Sequence, residues 1–104
     1  MKEKIDYLST LFVGIDIASR IHVISALDFN QEYFIKMKPV ENTQEGAILL
    51  EGMIADVLKE TPQFKNVGMG MESTGFYGDH LANYISASDL FAPFSVRVYC
   101  LNPK

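Results

Sequence analysis

The sequence predicts a single α/β domain built on a mixed β-sheet, in which antiparallel and parallel strands occur together. Three short apolar stretches of strand-like composition follow one another closely near the start of the chain. After them the apolar residues change to helical spacing, and strand-like runs then return twice. Hydrophobic residues make up 48% and charged residues 21% of the 104 residues, which is typical of a folded α/β chain and excludes disorder.

The first three strands are predicted at residues 11–18, 22–28 and 32–38, after a polar lead-in at residues 1–10. Because the link between the first two strands is short, we expect them to pair antiparallel. A second short polar segment separates the second strand from the third. The first part of the chain is therefore predicted to be a three-strand antiparallel meander.

The second half predicts two helices that alternate with two strands. Thr43 is placed to cap the first helix, which continues to Thr61-Pro62 and carries apolar residues at helical spacing: Ala47, Leu50, Ile54, Val57 and Leu58. A fourth strand follows at residues 66–72, and a fifth at residues 95–101. The helix between them is predicted to begin at Ser73 or Thr74, with one apolar face formed by Tyr77, Leu81, Tyr84 and Ile85.

This order of elements predicts a ribonuclease H-like sheet. Right-handed crossovers make the fourth and fifth strands parallel to the first and place the fourth beside the first. The C-terminal helix that completes such an arrangement is expected to be missing. Residues 11–104 are therefore interpreted as the N-terminal part of one ribonuclease H-like domain, preceded by the lead-in at residues 1–10.

Two carboxylates are the candidate functional residues. Asp16 and Glu72 lie in apolar strand segments, although aspartate is depleted in strands. On neighbouring strands the two acids would repel each other unless a cation held them. Mg²⁺ prefers such oxygen ligands, and sites with two metal ions cleave phosphodiesters. The pair therefore predicts a magnesium site that needs further acids from elsewhere.

Glycines near the acids support this interpretation. Gly14 shares a strand face with Asp16, and Gly68 and Gly70 thin the fourth strand, which often marks the close approach of a ligand.

Simpler roles remain open for each of these residues. Asp16 fits the polar face of an edge strand, and Glu72 fits the start of a helix, where acids complement the helix dipole. Ser73-Thr74-Gly75 fits a helix entry. His22 is interpreted as structural, since no second histidine has metal-ligand spacing, and Cys100 is interpreted as a small apolar filler.

Charge and cysteine content restrict the possible partners and the cellular location. The net charge is −4 and the only arginines are Arg20 and Arg97, so no basic stripe for nucleic acid is present. Contact with DNA would then depend on bound metal or on other parts of the protein. No apolar run is long enough to span a membrane, no cleavable signal is apparent, and the single cysteine fits a reducing compartment. We expect a cytoplasmic location.

Several motifs in order resemble the DEDD-type insertion-sequence transposases, a group related to the Piv DNA invertases. The resemblance covers residues 11–104, and the motifs that carry it are Gly14-Ile15-Asp16-Ile17, His22, Leu27-Asp28, Asn42-Thr43, Glu45-Gly46, Met71-Glu72-Ser73-Thr74-Gly75-Phe76-Tyr77 and Leu101-Asn102-Pro103. Either strand motif alone is weak, whereas their combination in this order is specific.

The resemblance implies a RuvC-like domain for transposition, in which four acids bind divalent metal, Mg²⁺ or Mn²⁺, for DNA cleavage and strand transfer. Asp16 matches the first acid and Glu72 the second, so both are implied as catalytic metal ligands. The last two acids belong to a helix beyond the fifth strand, so metal is expected only with the full acid set. DNA, a structured non-coding RNA and further copies of the chain are the implied partners. The fragment alone is expected to be inactive.

The chain departs from the family pattern in two places. The family has Ser-Lys after the first acid, whereas Arg20 follows Ala18-Ser19 here. A bulkier connection at residues 91–94 replaces the glycine that often precedes the fifth strand.

Two alternative functions remain. The first is a non-catalytic ribonuclease H-like interaction or assembly module. The second, a sugar-kinase or actin-like ATPase half, needs a glycine-rich phosphate loop that Ala18-Ser19-Arg20 does not supply.

Overall fold

The chain folds around one five-stranded sheet with the strand order β3-β2-β1-β4-β5. The computed structural model describes residues 6–72, 79–91 and 94–101. The strands are β1 Thr10–Asp16, β2 Ile21–Leu27, β3 Tyr33–Glu41, β4 Asn66–Glu72 and β5 Ser95–Leu101. The helices are α1 Gln44–Glu60 and α2 Asp79–Ser86, with 3₁₀ turns at Tyr7–Ser9 and Asp89–Phe91.

The strand directions confirm the topology predicted from the sequence. Strand β2 pairs antiparallel with both β1 and β3, and β4 pairs parallel with both β1 and β5. Strand β1 therefore lies in the middle of the sheet. The alternative that placed Asp16 on an edge strand is wrong, because the crossover through α1 brings β4 to the open side of β1.

Some strand limits differ from the prediction. Strand β1 includes Thr10 and ends at Asp16, since the following residues form a turn. Strand β3 continues to Glu41, although the predicted strand stopped at residue 38. The cause is an irregularity at Met37, which has a φ of 48° and donates its backbone N–H to Ser25 Oγ at 3.0 Å. This irregularity shifts the alternation of side chains, so the second part of β3 no longer follows a simple period of two.

Both helices pack against the same core. Apolar side chains at alternate positions of the central strands are buried there: Leu11, Val13, Ile15, Ile24, Ala26, Val67, Met69 and Met71. From the helices, Leu50, Ile54, Leu81 and Ile85 join this core, which confirms the predicted apolar faces. The predicted start of the second helix at Ser73 or Thr74, and the position of Tyr77, lie outside the described residues.

A carboxylate of α1 ties the two helices together. Tyr84 Oη donates a hydrogen bond to Glu51 Oε1 at 3.0 Å, and Ser88 Oγ donates to Glu51 Oε2. The hydrogen bond to Glu51 raises the pKa of Tyr84, so the phenol keeps the proton that it donates. The part of the chain after α2 is thereby held against α1.

Helix α1 begins in close contact with the end of β3. Thr43 Oγ1 accepts a hydrogen bond from the N–H of Gly46 at 3.0 Å, which confirms the predicted cap. A Cβ added to Gly46 would lie 1.8 Å from the carbonyl oxygen of Glu41. Only glycine therefore permits this approach of helix and strand.

None of the helices in the described part of the chain is long and apolar enough to cross a membrane.

The close approach at Gly46 makes a stability prediction. We expect Gly46→Ala to lower the free energy of unfolding by about 1–3 kcal/mol, because the new methyl group must displace a backbone carbonyl. Urea denaturation of the purified chain measures this difference.

Gly52 is the matched control in the same helix, because a Cβ there would meet nothing within 4 Å. Gly52→Ala should raise the free energy of unfolding by roughly 0.5–1 kcal/mol through its higher helix propensity. Equal effects of the two substitutions would contradict the tight contact.

Candidate metal centre

Asp16 is exposed on the face of the sheet opposite the helices. It is the last residue of β1, and its neighbours Ile15 and Ile17 are buried. Because side chains alternate along a strand, burial of the neighbours directs the Asp16 carboxylate to the other face. Within the described residues, no donor forms a hydrogen bond to this carboxylate.

The second acid lies at the matching position of the neighbouring strand. In the parallel register of β1 and β4, the Cα of Asp16 is the partner of the Cα of Glu72, which is the last residue of β4. The carboxyl ends of the two parallel strands therefore bring both acids to one edge of the sheet, as the sequence predicts.

Glycines leave the surface beside Asp16 open. Gly14 and Gly70 are register partners on β1 and β4, two residues before Asp16 and Glu72. Among the described residues, a Cβ added at either glycine would meet nothing within 4 Å, so no described neighbour requires a glycine there. Together with Val23 and Ser25 they line a shallow groove, open to solvent, that contains Asp16.

The donors fit a divalent cation as part of a larger ligand set. A carboxylate supplies the oxygen ligands that Mg²⁺ prefers, and the groove has room for water or a phosphate group. However, the described residues contain no group of three or more His, Cys, Asp or Glu side chains placed to hold a metal ion. Two acids therefore account for only part of the ligand set of a two-metal site.

A turn at residues 17–20 follows Asp16 and is held by hydrogen bonds to two residues, His22 and Asn42. The backbone N–H of Ala18 donates to His22 Nδ1 at 3.2 Å. Asn42 donates its backbone N–H to the carbonyl of Arg20 at 2.8 Å and its Nδ2 to the carbonyl of Ser19 at 3.0 Å. Sequence reasoning did not identify this role of Asn42, and its place beside the Thr43 cap was the available signal.

His22 is buried, with 2% of its surface exposed. Because Nδ1 accepts a hydrogen bond, the neutral ring carries its proton on Nε2. Burial lowers the pKa of His22, and an interaction with the Asn42 side chain raises it by less. This environment agrees with the structural role expected for His22 and not with a metal ligand. The predicted Ser73-Thr74-Gly75 segment lies outside the described residues.

One comparison with known proteins matches the chain to a transposase family, and another matches its fold to a solved structure. The family model DEDD_Tnp_IS110, described as a transposase, matches residues 13–103. No curated protein sequence is significantly similar to the chain. Among solved structures, T. thermophilus RuvC in complex with a Holliday junction substrate matches with a TM-score of 0.53 at 11% identity. The match covers 88% of this chain and 64% of the RuvC chain, and it confirms the predicted ribonuclease H-like fold.

The lowered pKa of His22 predicts how stability depends on pH. As pH falls, the unfolded chain, with a histidine pKa of about 6.5, takes up the proton before the folded chain does. The contribution of neutral His22 is therefore complete above the unfolded pKa and is lost as pH falls towards the lower, folded pKa.

We expect the free energy of unfolding to be smaller at pH 5.5 than at pH 7.5, and His22→Asn to reduce this difference. Urea denaturation of both proteins at both pH values measures the effect, and all other titrating groups are common to the pair. An identical pH dependence of the two proteins would show that His22 is not responsible.

Proposed function

Because the chain belongs to the DEDD transposases of the IS110 type, we propose that it is the N-terminal part of a catalytic domain for DNA cleavage and strand transfer during transposition. The observation that supports this most directly is the register of β1 and β4, which places Asp16 and Glu72 side by side. The open face beside them is where a substrate has access.

Asp16 and Glu72 are the proposed metal ligands and catalytic residues of this chain. Mg²⁺ or Mn²⁺ at such a site supplies Lewis-acid stabilisation of charge on the phosphodiester oxygens. The two carboxylates would contribute oxygen ligands and hold them at one edge of a rigid sheet. Further acids must complete the set, since two carboxylates alone leave most of the coordination to water.

The glycines are proposed to admit the substrate backbone. Side chains at Gly14 and Gly70 would project into the groove next to Asp16, where the chain itself leaves space. Close approach of a phosphodiester to the carboxylates needs such a flat surface. The RuvC structure was determined with a Holliday junction substrate, which supports DNA as the partner here.

Two further partners are proposed. The family resemblance suggests a structured non-coding RNA. Association of several copies is suggested by the aromatic residues Tyr7 and Phe29, which are about half exposed at 49% and 54% and stack with each other. Light scattering after size exclusion tests the association, and a stable monomer at high concentration would contradict it.

The alternative function is a non-catalytic assembly module with the same fold. The exposed aromatic residues Tyr7 and Phe29 favour this alternative, because exposed apolar patches mark interaction surfaces. Metal binding separates the two functions, because an assembly module has no need for a cation at Asp16.

Occupancy by the catalytic metal is expected only with the full acid set, but the two carboxylates of this chain should still attract Mn²⁺ weakly, so titration with Mn²⁺ tests the proposed site directly. Paramagnetic Mn²⁺ should broaden the amide NMR signals of residues near Asp16, including Gly14 and Gly70, before those of α1. Asp16→Asn should weaken this binding at least about tenfold, because it removes a charged oxygen ligand.

Asp56→Asn is the matched control, since Asp56 is an exposed acid on α1, remote from the groove. Broadening that is unchanged in Asp16→Asn, or equally reduced in Asp56→Asn, would argue against the metal site and in favour of the assembly module.

The 104-residue chain is expected not to nick DNA by itself, because its two proposed ligands are only part of the required set. Incubation with supercoiled plasmid and Mg²⁺ or Mn²⁺, followed by gel electrophoresis, checks this. Efficient nicking that disappears in Asp16→Ala would overturn the expectation and would show that two acids suffice.

A further inference from the structure

The turn at residues 17–20 is the part of the backbone that most directly determines where β1 ends. The last pair of the β1–β2 ladder is Asp16 with Val23, so the turn begins immediately after the proposed metal ligand. Beyond that pair the β1–β2 ladder no longer fixes the chain. Hydrogen bonds from outside the ladder must hold the turn instead.

His22 supplies one of these bonds from the buried face of the sheet, which the helices cover. Its ring lies beside the buried residues Val40, Ala47 and Leu50, near the start of α1. From there Nδ1 accepts the backbone N–H of Ala18. A leucine of similar volume fills this site but offers no acceptor, so the bond depends on the nitrogen and not on the bulk of the ring.

Asn42 supplies the other two bonds from the end of β3. Its backbone N–H and its side-chain amide donate to the consecutive carbonyls of Arg20 and Ser19. The position of Asn42 is fixed in turn, because it lies between Glu41, which contacts Gly46, and the helix cap Thr43. The start of α1 is therefore connected to the turn through a single residue.

We propose that His22 and Asn42 are positioning residues, which hold the turn at residues 17–20 and so fix the end of β1 that presents Asp16. Neither His22 nor Asn42 is proposed to bind the metal. Holding the turn is a property of the fold, whereas its consequence for metal binding rests on the proposed function. The two parts are tested by different measurements on the same proteins.

Protonation of His22 supplies a readout that simple packing does not. A proton on Nδ1 would face the N–H of Ala18 and replace an attraction with a repulsion. Among the residues lining the space around the ring, Glu41 is the other titratable group, and it belongs to β3. Because Glu41 remains in every variant below, its titration is common to all of them.

Two substitutions of His22 separate positioning from packing. His22→Asn keeps an acceptor near the position of Nδ1 but leaves part of the buried space empty. His22→Leu fills the space but has no acceptor. Packing alone predicts that the leucine variant holds the turn better, because it is the more stable protein. Positioning predicts the opposite order for the turn.

The first measurement is hydrogen exchange of the Ala18 amide by NMR in the 104-residue chain. We expect protection in His22→Asn to be close to that of the unaltered chain at pH 7.5 and to stay constant down to pH 5.5. In His22→Leu it should fall about fivefold, the factor that one ordinary hydrogen bond provides. In the unaltered chain it should fall as pH decreases, and this fall should be absent in His22→Asn.

Leu58→Ala is the control for loss of stability, since Leu58 is buried near the far end of α1. It should lower global stability and leave Ala18 protection relative to neighbouring amides unchanged. Asn42→Ala, which keeps the backbone bond to Arg20, should lower protection at the turn by a smaller factor than His22→Leu. Protection that follows global stability across all four variants would overturn the proposal.

The second measurement is the Mn²⁺ titration at Asp16 in the same variants. Binding should be about fivefold weaker in His22→Leu than in His22→Asn, because a loosened turn must be ordered again when the cation binds. Equal Mn²⁺ affinity in the two variants would overturn the positioning of Asp16. Absence of Mn²⁺ binding in the unaltered chain, with the predicted exchange pattern intact, would contradict the proposed function and support the hold on the turn.

Discussion

The parallel pairing of β1 with β4 is the constraint on which the candidate site depends. Parallel neighbours cannot be joined by a tight hairpin, so the chain must leave the sheet, form α1 and return. The register then decides which residues meet: Asp16 lies beside Glu72, and Gly14 beside Gly70. A shift of one residue would turn every side chain of β4 to the opposite face and separate the two acids.

The crossover needs α1 to begin very close to the end of β3. Gly46 permits this because it has no Cβ to collide with the carbonyl oxygen of Glu41. The same contact leaves Asn42 where it can bind the turn after β1. The close approach of Gly46 to Glu41 therefore contributes both to the packing of α1 and to the position of Asp16. It does so although the contact lies on the side of the sheet opposite the groove.

Much of the fold could be predicted from the sequence because each element follows a local rule. Apolar spacing identified α1, the oxygen of Thr43 identified its start, and short links identified the meander. The extent of β3 could not be predicted, since the positive φ of Met37 changes the alternation on which strand prediction relies. The adjacency of the two acids was predictable because right-handed crossovers leave few alternative sheet orders.

The parts of the site that could not be predicted depend on contacts between distant segments. Asn42 reads in the sequence as a polar residue before a helix cap, and only the folded chain shows that it binds the turn at residues 19–20. The same holds for His22. Its burial agrees with a structural role, but the acceptor function of Nδ1 needs the position of Ala18. Local patterns carry no information about such partners.

On the proposed function, charge gives the cation a role in substrate binding as well as in chemistry. Among the described residues that line the groove beside Asp16 there is no lysine or arginine, and the chain carries a net charge of −4. Phosphate approaching the two acids would meet repulsion until a cation neutralises them. On the proposed function, the divalent cation must therefore bind before or together with DNA. On the same proposal, the described lining of the groove supplies none of the positively charged side chains that normally attract the DNA backbone.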